Sequence, residues 1–269
     1  MVESLWEVDV WARFLSVYAG KDKLTRTLQY GCRCMQYYLL QADAHSKMGK
    51  KLRTTYKTIS NQRKAFRLGR GLDELQQYRR WARKLRGRAI NEEHLCRFVQ
   101  HFCLGTFLFA DNIVWAVSLK LVRVSDEKLF KKRAALFRVI AIFAQAILLA
   151  REWRAVAVNL RNAEQRRKDG VDATVSPLGR SDSMANTAET EKLQLKQSDR
   201  QVKAVKLLCD LLTYGQASGL AKVVLGRELH DGHVGLLGVI SAVVGSRSCW
   251  RTCCQDAVKC GSETIAKHG

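Results

Sequence analysis

A chain of 269 residues with 46 Lys and Arg against 25 Asp and Glu carries a formal charge of +21. That balance calls for an acidic partner, nucleic acid or an anionic membrane surface. The nine cysteines are odd in number and irregularly spaced, which argues against a secreted disulfide framework, and no N-terminal apolar run reads as a signal peptide. A single proline, Pro177, and the lack of alternating apolar and polar runs make the expected class all-α.

In chain order, Val8, Trp11, Leu15 and Tyr18 form one helical stripe. Gly20 is expected to end that helix and Asp22 to cap the next, which carries Leu24, Leu28, Met35 and Leu39. A third helix is expected from about Lys50 to Leu68, stopped by Gly69 and Gly71. The fourth turns Leu75, Tyr78, Ala82 and Leu85 inward and most of its arginines outward.

Two apolar stretches follow, 102–119 and 134–150, the second capped by Ser125 with Asp126 and Glu127 and extending to about Lys168. Each is close to the roughly 20 residues a spanning helix needs. Yet the first holds Asp111 and Asn112, and the second Arg138 and Gln145. Such residues at membrane depth face a bundle interior or mark function. The basic flanks would fall on opposite sides of two full spans, so the pattern predicts partial burial in protein and lipid, or one span of the two. Residues 169–200 are polar, contain the proline and are expected to be a flexible linker. A further amphipathic helix leads to "DGHVGLLGVISAVVG" (231–245), short for a full span but rich in small residues that admit a close helix neighbour. Gly235, Gly238 and Ala242 are the expected packing face.

The segment 47–72 contains many Lys and Arg, and no acid before Asp73. Leu52, Tyr56, Ile59 and Phe66 share a face, opposed by Lys57, Arg63, Lys64 and Arg67. A helix of this kind lies in a bilayer interface, its apolar side among acyl chains and its cations at lipid phosphates, each worth roughly 1 kcal/mol near an anionic surface. The same pattern also describes a surface helix packed on its neighbours with a solvated basic face. These residues are the candidate membrane-binding set, with an anionic phospholipid membrane as partner. Nucleic acid is not expected, because no helix-turn-helix, zinc-finger or RNA-binding motif is present.

The cluster Cys249, Cys253, Cys254 and Cys260 lacks paired C-x-x-C spacing and reads as reduced thiols or a lipidation site. No histidine motif, Ser-His-Asp set, P-loop or dinucleotide fingerprint appears, so neither enzyme, cofactor nor metal is expected.

Four stretches together resemble the peroxin-eleven family of proteins that elongate and divide peroxisomes. They are "FLSVYAGKDKLTRTLQYGCR" (14–33), "QRKAFRLGRGLDEL" (62–75), "ADNIVWAVSL" (110–119) and the glycine-rich 231–245 segment. The tail beyond Val244 and the long 169–200 segment depart from the family pattern. The resemblance implies a helical peroxisomal membrane protein, or a glycosomal one in a trypanosomatid, whose helix before Arg-Leu-Gly binds and tubulates anionic membranes. Here that helix matches about Lys50 to Leu68. The resemblance also implies homo-oligomers and fission machinery such as a dynamin-like GTPase, with a pore for small metabolites as the alternative function. Asp111, Asn112, Arg138 and Gln145 would line such a pore.

The expected organisation is an N-terminal helical region (1–98), apolar membrane-associated helices (99–168), the linker (169–200) and C-terminal anchoring helices with a tail (201–269). The fold class is an all-α membrane protein with N-terminal amphipathic helices and a glycine-rich C-terminal membrane helix.

Overall fold

In a computed structural model the backbone is described for residues 8–86, 91–172 and 179–268, and side chains for 8–86, 91–165 and 190–256. The chain is 89% helical with no strands among the described residues. The helices are α1 (Val8–Ser16), α2 (Tyr18–Ala42), α3 (Lys47–Phe66), α4 (Arg70–Leu85), α5 (Glu92–Ser118), α6 (Glu127–Asp172), α7 (Gly179–Ser218), α8 (Leu220–Leu225) and α9 (Asp231–His268).

Local chemistry explains most boundaries. Ser46 caps α3 by accepting from the Gly49 amide, and Asn91 caps α5 by accepting from Glu93. Gly69 (φ 83°) and Gly219 (φ 86°) adopt the left-handed conformation that ends α3 and α7. The cap of α6 is Asp126, whose carboxylate accepts from the Leu129 amide, and not Ser125. The first break also differs from expectation. It falls at Val17, while Gly20 lies within α2, where a Cβ would sit 1.8 Å from the Phe14 carbonyl oxygen. Gly20 therefore serves close approach at the bend between α1 and α2, and Asp22, expected as a cap, is an interior residue of α2.

The 169–200 stretch is helical where it is described: 169–172 complete α6 and 179–200 begin α7, while 173–178 lie outside the described residues. After Gly179 the sequence has neither glycine nor proline until Gly215, so nothing in it interrupts a helix. Leu193 is buried, and α7 packs along α6, with Arg200 reaching Glu152 at 3.4 Å. The backbone of 179–200 is thus helical despite its polar composition.

Contacts run from α3 to α2, α2 to α9, α9 to α7, α7 to α6, α6 to α5, and α5 back to α3, which closes a ring. Helix α4 packs outside on α5, and α1 on α9 and α2. Among the described residues, Glu92–Ser118 and Glu127–Gln165 are long and apolar enough to cross a membrane. Helix α6 buries Ala135, Val139, Ile142 and Leu149 yet exposes Leu136, Ile140, Phe143 and Ile147 on the opposite side. A helix apolar all round needs either protein or lipid on every face. Only 28% and 44% of the most apolar windows of the two helices are buried within the bundle, so lipid is the natural contact for the remainder. These helices, more than the shorter apolar run of α9, meet the span requirement.

Candidate functional site

Three sites can be built from these elements: the outer helix α3, the seam between α2 and α9, and the polar interior of the ring.

Helix α3 lies against α2, and only part of the expected membrane-binding set faces outward. Lys57 and Phe66 are exposed; Leu52, Tyr56 and Ile59 are half-buried, with the Arg33 guanidinium over the Tyr56 ring at 5.6 Å. Met48, 60% exposed, joins Phe66 as an outward apolar residue. Lys47, Lys50, Lys51 and Arg53 are exposed as well. Two of the expected lipid-facing cations turn inward instead. Arg63, 6% exposed, donates to Asp22 at 2.9 Å and to Gln29 at 2.6 Å; Arg67 donates to Asp111 at 2.8 Å. The reason is helical geometry: as α3 docks, positions 63 and 67 point toward carboxylates on α2 and α5. Burial alone would raise the Asp22 carboxyl, but the Arg63 guanidinium outweighs it and holds the group below its ordinary value. Lys64 is half-buried, and burial, reinforced by Lys131 and Arg67, lowers its ammonium. A groove of 530 Å³, lined by Tyr56, Lys57, Lys64 and Lys131 among others, runs beside α3. The helix is thus gripped by α2 and by two ion pairs, with its other flank open.

The α2–α9 seam brings Gly235, Gly238 and Ala242 together on one face. A Cβ on Gly235 would lie 2.6 Å from the Cys34 amide nitrogen, and one on Gly238 2.2 Å from the Tyr30 ring. Ala242 is fully buried. Small residues at steps of three and four let the two backbones approach until nothing larger fits.

The interior of the ring is polar. Asp210 on α7 is fully buried, accepts from Arg26 of α2 and Ser241 of α9 at 2.5 Å each, and from Lys206 at 2.8 Å. Burial would raise its carboxyl, but the Arg26 and Lys206 charges prevail and hold it well below the usual range. Arg26 is raised despite its burial, through Asp210. This carboxylate joins three helices, and sequence reasoning missed it. A signal was present: Asp210 is the lone acid in the apolar run "LLCDLLTY" (207–214), the pattern of a buried polar anchor. Asp111 and Arg138, the charges inside the apolar helices, also face inward: Asp111 pairs with Arg67, and Arg138 lies over the Tyr214 ring at 5.5 Å. Gln145 joins Arg138 at an interior cavity of 220 Å³, whereas Asn112 is not among its lining residues.

Two long apolar helices, α5 and α6, that turn Asp111 and Arg138 inward and aliphatic side chains outward have the design of membrane helices. The chain matches the family described as Peroxisomal biogenesis factor 11 (PEX11) over residues 8–250. Human Peroxisomal membrane protein 11A is 26% identical over 257 residues, covering 88% of this chain and 94% of that one. The Arabidopsis thaliana protein of the same name is 22% identical, covering 89% and 91%, and bovine Peroxisomal membrane protein 11B is 25% identical, covering 64% and 66%. No solved structure matches. The chain belongs to the PEX11 family. It is a peroxisomal membrane protein of peroxisome biogenesis and division.

Proposed function

We propose that α3 is the part of this protein that deforms the membrane. The observation that carries the reading is the outer surface of α3: Lys47, Lys50, Lys51, Arg53 and Lys57 are all exposed, and no acid occurs anywhere in the helix. Met48 and Phe66 extend from the same helix. Exposed cations draw the helix to anionic headgroups, and apolar side chains enter the same leaflet and expand it, which favours curvature. The inward Arg63 and Arg67 hold the helix to the bundle, so insertion by α3 is transmitted to the membrane-embedded helices. In this reading the protein works as an assembly of copies and passes the elongated membrane to fission machinery such as a dynamin-like GTPase.

The test uses the full chain reconstituted with vesicles containing acidic lipid. Replacing Met48 and Phe66 by glutamate leaves the packed residues of α3 untouched and should abolish tubulation while carbonate-resistant membrane attachment persists. Adding Ile59→Glu should deepen the defect. Reversing Lys50, Lys51, Arg53 and Lys57 to glutamate should remove binding to anionic vesicles, and high salt should mimic that loss. Normal tubulation by the M48E/F66E protein would overturn the reading. The alternative function, a pore for small metabolites, draws on the polar interior; neutralising Asp111 or Arg138 should then abolish conductance in planar bilayers and leave tubulation intact.

A further inference from the structure

The half-open polar cavity of the ring is unbalanced in charge. Three of its cations have carboxylates: Arg63 has Asp22, Arg67 has Asp111 and Arg26 has Asp210. Four do not. Lys206 is a second cation on the carboxylate Arg26 already uses. Lys23, Arg70 and Arg138 line the same cavity, and none of them forms an ion pair among the described residues. The cavity of 220 Å³ lies among α2, α3, α5, α6 and α7, with Arg70 of α4 also at its wall. A water takes up about 30 Å³ of liquid, so there is room for a polyatomic ion.

Two donors are left over as well. Arg138 Nη1 and Arg67 Nε are buried and have no hydrogen-bond partner in the protein. Buried guanidinium nitrogens without acceptors are costly, and four surplus cations around one small volume add mutual repulsion. Burial first, then the Lys206 and Arg26 charges, pulls the Lys23 ammonium down to about 8. The protein holds a preorganised positive field at a place where two buried guanidinium nitrogens lack acceptors. Planar guanidinium forks of this kind suit tetrahedral oxyanions.

We propose that the cavity is a binding site for a phosphate-type dianion, supplied either as free phosphate or as the phosphomonoester of a lipid headgroup. Arg138 and Arg67 donate to its oxygens, and Lys23, Lys206 and Arg70 complete the charge. Arg63 and Arg67 tie the site to the inner side of α3, while the four surplus cations lie on α2, α4, α6 and α7, away from the exposed face of α3.

The experiment uses the full chain purified in non-ionic detergent. Inorganic phosphate is titrated against sodium chloride at constant ionic strength. Two readouts are followed: the apparent Tm, and acylation of Lys23 by an amine-reactive reagent near pH 8, quantified by mass spectrometry. Phosphate should raise the Tm saturably and protect Lys23, because a bound dianion raises the ammonium pKa. Arg138→Gln and Lys23→Gln should each weaken phosphate binding about tenfold, the loss of one charged hydrogen-bond partner. Lys192→Gln, at an exposed position of α7 away from both the cavity and α3, should change nothing. A Tm that does not respond to phosphate, or a response unchanged in folded R138Q and K23Q proteins, overturns the proposal. The source is decided by a second arm in vesicles. Protection of Lys23 by vesicles containing a phosphoinositide, with free phosphate ineffective at matched concentration, assigns the site to a headgroup. Equal protection by free phosphate in phosphatidylcholine vesicles assigns it to the soluble ion.

Discussion

Replacing Gly238 by alanine tests the α2–α9 seam through the sign of its effect. On a solvated or loosely packed helix, Gly→Ala stabilises by about 0.5–1 kcal/mol, because alanine loses less backbone freedom on folding. At Gly238 the new Cβ would meet the Tyr30 ring at 2.2 Å, and ordinary contact begins at 3.4 Å. The ring or the helix must therefore give way by about 1.2 Å. The ring is poorly placed to do so. It is buried, and the Arg26 guanidinium lies over it at 5.6 Å while Asp210 holds Arg26 in turn. Overpacking of this kind costs about 1–3 kcal/mol, which outweighs the helix gain. For a chain of this size each kcal/mol lost lowers the Tm by about 2–4 °C. The assay is the apparent Tm of the detergent-purified chain. Gly31, which follows Tyr30 in α2 but where a Cβ would meet nothing within 4 Å, is the control. G31A should raise the Tm and G238A should lower it. In a Tyr30→Ala background the penalty of G238A should vanish, while that of Gly235→Ala should remain, because its neighbour is the Cys34 backbone. If G238A raises the Tm as G31A does, the seam is not closely packed and the reasoning fails.

Asp210→Ala should destabilise by about 3–5 kcal/mol, since it leaves Arg26 buried without its carboxylate; protease sensitivity of the purified protein measures the loss, and a resistant variant would contradict the network. For Lys23, the unfolded chain binds more protons than the folded one between about 8 and 10.5, so its contribution rises with pH across that window. Lys23→Met should accordingly raise the Tm most below pH 8, with the advantage fading as pH approaches 10.5; a pH-independent difference would show that the ammonium is not desolvated. Arg67→Asp and Asp111→Arg should each destabilise, and the double swap should recover part of the loss, with a coupling of about 1–3 kcal/mol in a double-mutant cycle.

The sequence by itself determined the helical class, because one proline, helical spacing of apolar residues and the absence of alternating runs leave little else. It also marked the small residues of 231–245 and the acid-free basic helix, since composition and period are local properties. Local patterns likewise placed Gly69 as a stop, where a positive φ is required. What the sequence left undecided was direction. Arg63 and Lys57 look alike in a basic segment, yet one is buried against Asp22 and the other meets solvent. That difference depends on where α2 lies, forty residues away in the chain. Gly20 read as a stop because a glycine after an apolar stripe fits one, and only the approach of the Phe14 carbonyl shows its other use. Residues 190–200 read as linker because their polar composition outweighs Leu193, whose burial only the packing of α7 reveals. The polar interior is the strongest case. Arg26, Asp210 and Ser241 come from three helices, Arg26 and Asp210 being 184 positions apart, and long-range pairing of charges has no period to read. The packing of α9 on both α2 and α7 brings them together, so the network and the surplus of cations beside it are properties of the tertiary structure alone.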